Sequence, residues 1–382
     1  MAEVLEPAAN PVGWSGTRVD AERIETELGR LRYEAAGQPA QGESFAMRSS
    51  FTNLVVYAND AETGRHASQL VAALSGQHPS RTIIIVANPS APEPGVETAL
   101  TAHCHIAPGL DQKVCCEEVT LSVDGPAANH LHSVLAPLLI PELPNYVWWI
   151  GGLPHDHHLF DEMIASADRL IVDSARFTKT ASDLPQLQHI STTAGNYALG
   201  DLNWQRLLPW RQIVLQECST PSLERYIGSL TSMKLSFARD ESEERWSQPL
   251  LAAGWLSALL GVDASSPEVQ SRGAAKLRQG EREVMLKMVP TAFPQTMPGN
   301  LVSIELRWRN GNQNASLTVS RKADPLHLEI IVHEPSGTIQ THVRIDSGDE
   351  GMMLDRELNS LTHDPEYAEA LHITVPLVSV AQ

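Results

Sequence analysis

Three histidines surround an aspartate just beyond an apolar run in "PELPNYVWWIGGLPHDHHLF", residues 141–160. Imidazole nitrogens and a carboxylate are metal ligands. His155, Asp156, His157 and His158 could therefore supply part of a metal site, with Cys104, His105, Cys115 or Cys116 approaching from neighbouring strands. The spacing speaks against it. Adjacent His157 and His158 do not share a face in regular structure, and no cysteine pair has zinc-finger spacing. No metal is expected, and the stretch reads as a buried strand running into a polar loop.

Glu117 and Glu118 raise the question of paired carboxylates for general acid and base work, but neighbouring strand residues face opposite ways. One should face solvent and the other a loop or a partner. Cys115 and Cys116 point apart for the same reason and are poor partners for each other. Four cysteines, with Cys218 the last, are too few and too irregular for a secreted disulfide framework. Either thiol of the adjacent pair could tune association through oxidation, or be a small buried hydrophobe. There is no glycine-rich dinucleotide fingerprint, phosphate-loop lysine, nucleophile elbow or zinc-protease histidine pair. Nothing announces a cofactor.

The elements that must position these residues follow from apolar periodicity. "RVDAERIETELGRLRYEAAG" puts Ile24, Leu28 and Leu31 on one helical face, ahead of the polar "QPAQGES". That helix could pack on its own domain or dock on a partner. "SSFTNLVVYAN", "TGRHASQLVAAL" and "SRTIIIVAN" then read as strand, helix and strand, both strands apolar on both faces. "LTAHCHIA" and "KVCCEEVTLSV" read as strands, "AANHLHSVLAPLL" as a helix, and "NYVWWI", "HLFDEMIASA" and "RLIVDS" as strand, helix and strand. Trp148 and Trp149 fall on opposite faces of theirs.

In "DLNWQRLLPWRQIVLQECS" Asp201 suits a helix N-cap and Pro209 breaks or kinks the helix. "LLAAGWLSALLG" suits a buried helix, and "RDESEERWSQ" a solvated connection. After the proline-rich "MVPTAFPQTMPGN" the period becomes two. Val302, Ile304, Leu306 and Trp308 share a face, and the pattern recurs in "NASLTVS", "LHLEIIV" and "TIQTHVRI". The fold class is an α/β N-terminal domain with a largely parallel sheet, followed by an α+β C-terminal domain with an antiparallel β-meander. The expected boundaries are 1–45 for the helix and linker, 46–240 for the α/β domain, and 241–382 for a helical connection and the C-terminal domain.

Composition narrows the function. A chain of 382 residues with 42% hydrophobic and 19% charged residues is long enough for two folded cores. A formal net charge of -18 repels phosphate backbones, which disfavours nucleic acid as a partner. No run of 18 apolar residues occurs, and "MAEVLEPAANPVGW" lacks a basic start before an apolar core. A cytoplasmic protein with no membrane association is expected.

The segments "TNLVVYAN", "HPSRTIII", "VCCEEVTL", "LLIPELPNYVWWIGGLP", "DRLIVDSARF" and "LGDLNWQRLLPWRQIV", in that order, carry a family resemblance. They resemble the OpcA family of glucose-6-phosphate dehydrogenase assembly proteins over roughly residues 45–260, and more loosely through "LDRELNSLTHDPEYAEAL". The extended N-terminus is similar to that of cyanobacterial members. The resemblance implies a non-enzymatic protein without a cofactor. Its partner would be glucose-6-phosphate dehydrogenase, whose active oligomer it promotes and whose substrate response it tunes in the NADPH-supplying oxidative pentose phosphate pathway.

Density of aromatic and arginine side chains in the best-matching segment nominates a contact surface. It comprises Asp201, Asn203, Trp204, Arg206, Trp210 and Arg211, with Trp148, Trp149 and His155 of the "VWWIGGLPHDHH" stretch beside it. Two other readings stand next to this one. An enzyme or sensor could hold a sugar phosphate at the strand ends of the α/β domain through Arg65, Arg81 or a helix N-terminus. A passive scaffold could hold the dehydrogenase without changing its kinetics.

Overall fold

The computed structural model describes residues 12–16, 21–36, 47–48, 50–88, 90–106, 113–125, 131–154, 158–193, 197–239, 245–324, 326–345, 349–360 and 362–382. His155, Asp156 and His157 lie outside the described residues, as does most of the acidic connection after Arg239.

β-Branched and apolar runs build a first sheet from β1 (Val12–Gly16), β2 (Met47–Arg48), β3 (Thr52–Ala58), β4 (Ser80–Asn88), β5 (Gly95–Ile106), β6 (Lys113–Asp124), β7 (Asn145–Trp149), β8 (Arg169–Val172) and β9 (Ala198–Asp201). Their order is β1-β5-β6-β4-β3-β7-β8-β9, with β2 on β6. β6, β4, β3, β7 and β8 are parallel, while β5 runs antiparallel to both β1 and β6. β4 and β7 flank β3, so the winding reverses there, which in open parallel sheets leaves a crevice at the carboxyl ends of the strands.

The helices are α1 (Ala21–Ala36), α2 (Ala61–Leu74), α3 (His132–Leu135), α4 (His158–Ala165), α5 (Thr180–Thr193), α6 (Leu202–Arg206), α7 (Leu208–Cys218), α8 (Pro221–Glu224), α9 (Ser247–Leu260), α10 (Glu350–Asn359) and α11 (Pro365–Leu377). The chain divides into two units. The first holds residues 1–172, 196–199 and 350–361, and the second holds 173–195, 200–349 and 362–382. The division therefore falls well before residue 240, because α5 to α7 pack within the second unit.

In the first unit Ile24, Leu28 and Leu31 are fully buried, so α1 spends its apolar face on its own sheet, against β5. Burial of such side chains stabilises the docked helix by about 1.5–3 kcal/mol each. Its polar side reaches inward too. Glu25 accepts from Arg81 of β4 at 2.7 Å, and Arg32 meets Glu117 of β6 at 3.0 Å.

The second sheet consists of β10 (Leu230–Arg239), β11 (Asp263–Ser271), β12 (Ala274–Gln279), β13 (Arg282–Ala292), β14 (Leu301–Asn310), β15 (Gln313–Arg321), β16 (His327–Glu334) and β17 (Gly337–Arg344), in the order β11-β12-β13-β10-β14-β15-β16-β17. All pairs are antiparallel except β10 with β13. Strands β14 to β16 of the meander follow the period of two, whereas β17 pairs with β16 but leaves Ile339 and Thr341 of its expected apolar face exposed. β10 to β13 were not anticipated, and "MVPT" within the expected proline-rich break instead ends β13. β11 shows why: "DASSPEVQS" is almost wholly exposed and has no apolar alternation to read. Gly273 makes the turn to β12 at φ 79°, where a Cβ would stand 2.4 Å from the Met288 carbonyl oxygen.

Candidate functional site

The crevice of the first unit is built from the ends of β3 and β7. Trp149 stacks on Tyr57 with ring centroids 3.8 Å apart, meets Phe160 of α4 edge-on at 4.8 Å, and donates from Nε1 to the Gly152 carbonyl at 3.1 Å. Trp148 is fully buried on the other face. Gly151, at φ 120°, lets the chain turn where any Cβ would lie 2.7 Å from the Asn59 amide. Aromatic packing thus fills the strand ends.

At the N-terminus of α2, where a phosphate would seek free amides, Asp60 accepts from the Thr63 N–H at 2.8 Å and the Thr63 hydroxyl at 2.7 Å. The Thr63 amide holds this carboxyl below the ordinary range. Of the two arginines considered for a phosphate, Arg65 is exposed on α2. Arg81 is fully buried, donating to Glu117 at 2.8 Å and to the Leu138 carbonyl at 2.9 Å. Arg81 is committed to the interior.

The acidic pair is corrected in the same way. Neither Glu117 nor Glu118 faces solvent: Glu117 is held by Arg81 and Arg32, and Glu118 accepts from the Ser68 hydroxyl at 2.8 and 3.0 Å. Arginine and serine donors hold both side chains inside the sheet. Cys115 is not paired with Cys116 but forms a disulfide with Cys104, its register partner across β5 and β6, with Cα atoms 4.1 Å apart. A short cross-strand bridge is not what cysteine count or spacing suggested. Cys116 is buried, and burial pushes its thiol up to about 11. Among the described residues no group of three or more His, Cys, Asp and Glu is arranged to hold a metal ion.

The second unit contains the densest polar cluster. Asp201, at the end of β9, is the N-cap of α6, and its Oδ1 accepts from the amides of Asn203 and Ser174, each at 2.9 Å. Its Oδ2 accepts from the Ser174 hydroxyl at 2.6 Å and the Tyr367 hydroxyl at 3.0 Å. Burial pushes the Asp201 carboxyl up to about 6, against the pull of the Ser174 hydrogen bonds. Beside it, burial opposes ionisation of Asp173, but Arg206, with Arg176 behind it, more than offsets this and lowers its pKa. Arg206 grips that carboxylate with both terminal nitrogens.

Asn203 donates to the Ser174 oxygen at 2.9 Å and accepts from Gln248 of α9 at 2.7 Å. The Trp204 indole N–H donates to Asp364 at 2.8 Å, while the Arg211 guanidinium lies 3.5 Å from the Trp204 ring centroid and donates to Glu366 at 2.9 Å. Arg321 stands 5.5 Å from the Trp210 ring. The break in the helix falls at Leu207, with Pro209 in the first turn of α7 where its missing N–H costs nothing.

Asp201, Asn203, Trp204, Arg206 and Arg211 are thus brought together, but as interior, and Trp210 is buried on α7 against Arg321. Asp201, Asn203, Trp204 and Trp210 are 1% exposed or less, Arg211 8%, and the Arg206 side chain 10%. In the first unit Trp148 and Trp149 are likewise core. The nominated side chains are therefore interior groups that position α6, α7 and α11. Sequence reasoning missed Asp173, Ser174, Gln248, Asp364 and Tyr367. The one legible hint was the Asp-Pro pair at 364–365, a helix start that places Asp364 as the cap of α11.

Comparison with known proteins adds what the geometry does not carry. Residues 71–189 match the glucose-6-phosphate dehydrogenase subunit N-terminal domain, and residues 197–371 match the corresponding C-terminal domain. OpcA proteins assigned provisionally to the OxPP cycle are similar along the chain. One from Synechocystis sp. is 23% identical over 100% of this chain and 79% of its own length. One from Synechococcus elongatus is 25% identical over 77% of this chain and 66% of its own length. An NAD binding oxidoreductase from Klebsiella pneumoniae is similar in structure at TM-score 0.48 and 9% identity, covering 87% of this chain and 96% of its own. Two successive domain matches and relatives spanning the whole sequence agree, and the chain belongs to the OpcA family of glucose-6-phosphate dehydrogenase assembly proteins.

Proposed function

We propose that this protein binds glucose-6-phosphate dehydrogenase as a non-catalytic partner, promotes its active oligomer and raises its response to substrate. The observation that carries the reading is the tandem match to the two dehydrogenase-subunit domains across residues 71–371. Support comes also from the chemistry of the interior. The buried carboxylates described above are each held by a neighbour, as in Asp201 with four donors and Glu117 with two arginines, an arrangement suited to rigidity.

Activation needs no group that touches substrate. A protein that binds the active oligomer more tightly than the inactive form shifts the population by that difference in affinity, and a coupling of about 1–3 kcal/mol changes apparent substrate affinity about 5- to 150-fold. The test is dehydrogenase activity across a glucose 6-phosphate titration, with and without this protein, alongside the mass of the species in solution. A leftward shift together with a larger complex is expected. A complex with an unchanged curve would leave a passive scaffold, and absence of both would overturn the reading.

A further inference from the structure

The second sheet turns one face into its unit and leaves the other open. Along β14, Ile304, Leu306 and Trp308 are buried, while Glu305, Arg307 and Arg309 project from the opposite side. Strand register carries that open face across the neighbours. Lys287 of β13, Lys234 of β10 and Glu305 stand in one cross-strand row, and Arg307 stands in the next, opposite Ser316 of β15.

The charge on this face departs from that of the chain. The whole sequence has 28 lysines and arginines against 46 acidic residues. The four central strands β13, β10, β14 and β15 present Lys234, Lys287, Arg307 and Arg309 here against Glu283 and Glu305, so cations outnumber carboxylates two to one. Lys234 and Lys287 are also direct register partners, and like charges side by side on adjacent strands are unfavourable. Glu305, 3.9 Å from Lys234, is shared with Arg307, whose Nε donates to it at 2.6 Å. A further carboxylate arriving from outside would relieve the repulsion.

Shape agrees with charge. A groove of about 450 Å³ is lined by Arg307, Arg309, His333 and Glu305 together with shorter side chains such as Thr231 and Ser316. From Lys287 to Arg309 the cations span two strand spacings, about 10 Å, and four residues along the strands, about 13 Å. That is too broad for one phosphate and suits several carboxylates on a folded surface. A second copy of this chain would bring the same cations against them, which like-charge opposition disfavours.

We propose that the open face of the second sheet is the surface that docks on the dehydrogenase, receiving a carboxylate-bearing patch of that enzyme around Lys234, Lys287, Arg307 and Arg309. The proposal rests on the partner reading above. Arginine at the centre of a contact and complementary charge around it are the features that set affinity and association rate.

The test uses the full chain and the purified dehydrogenase, with affinity and association rate measured by surface binding at several salt concentrations. Arg307→Glu with Arg309→Glu, and separately Lys234→Glu with Lys287→Glu, should each weaken the complex by about tenfold or more, chiefly through slower association. The control Arg65→Glu, an exposed cation on α2, should leave affinity unchanged. The wild-type complex should weaken as salt rises, a readout that depends on no variant folding. Wild-type affinity in either double variant with an intact melting curve, or no salt dependence, overturns this surface while leaving the partner in place. No complex with the wild-type chain overturns the partner reading, and the docking surface falls with it.

Discussion

Residues 201–211 hold two tryptophans, two arginines and an aspartate, and the fold turns these side chains inward, onto Asp173, Asp364, Glu366 and one another. The open face of the second sheet carries serines, threonines, lysines and arginines with Glu283 and Glu305 among them, and the fold turns Lys234, Lys287, Arg307 and Arg309 to solvent. Both regions belong to the second unit. Large side chains with a polar handle are enriched at interface centres and in satisfied cores for the same reason: each offers area together with a directed hydrogen bond. Residue type alone reports how much interaction a segment makes. It does not say with whom.

The comparison breaks most visibly if the buried cluster proves dispensable. Asp173→Ala leaves Arg206 and Arg176 facing a position without a counter-charge, and should cost about 3–5 kcal/mol. Chemical denaturation is expected to report this, and the melting temperature should fall by roughly 10 °C or more. Trp204→Ala should cost about as much, 3–5 kcal/mol for a buried aromatic truncation. Trp204→Phe removes the N–H to Asp364 and part of the ring beneath Arg211, and should cost less, about 1–3 kcal/mol. The Phe variant, still folded at working temperature, should retain dehydrogenase activation. Loss of activation with an unchanged melt would return Trp204 to the contact surface.

A pH series sharpens the same contrast. Asp201 has its folded pKa raised to about 6 by burial, above an unfolded value of about 3.9. The folded state therefore holds the proton more tightly between those values, and stability from this group is present below about pH 4 and is lost as pH rises towards about 6. The change is roughly 3 kcal/mol at most, from a shift of about two pKa units. Asp173 has the opposite sign: its lowered pKa stabilises the fold above the unfolded value and is lost in acid. Denaturation midpoints of Asp201→Asn against wild type at about pH 4.5 and about pH 7 isolate the first effect. The difference should move in favour of the asparagine variant as pH rises, and a constant difference would refute it.

The smallest effect is chemical. Burial pushes the Cys116 thiol up to about 11 and the Cys218 thiol up to about 12, so neither offers thiolate at neutral pH. Native protein should take up no alkylating reagent at these two positions, and denatured protein should label at both, as read by intact mass. Rapid native labelling of Cys116 would reopen a redox role for it.

Periodicity determined much of the architecture from the sequence. β3, α2, β4, β7, α4 and β8 follow from apolar runs alternating with an amphipathic helix, and β14 to β16 from a period of two, because each pattern has one geometry that buries it. The helix face of Ile24, Leu28 and Leu31 and the N-cap at Asp201 were equally legible, being local. The family followed from several motifs in fixed order. Tertiary structure alone decided the rest. β10 to β13 join the second sheet by non-local pairing, with β10 and β13 lying parallel across an intervening helix and hairpin. Cys104 meets Cys115 through strand register, and Tyr367 reaches Asp201 across 166 residues. Whether a tryptophan or an arginine faces inward or outward depends on what chain folds over it, and that is information no local pattern contains.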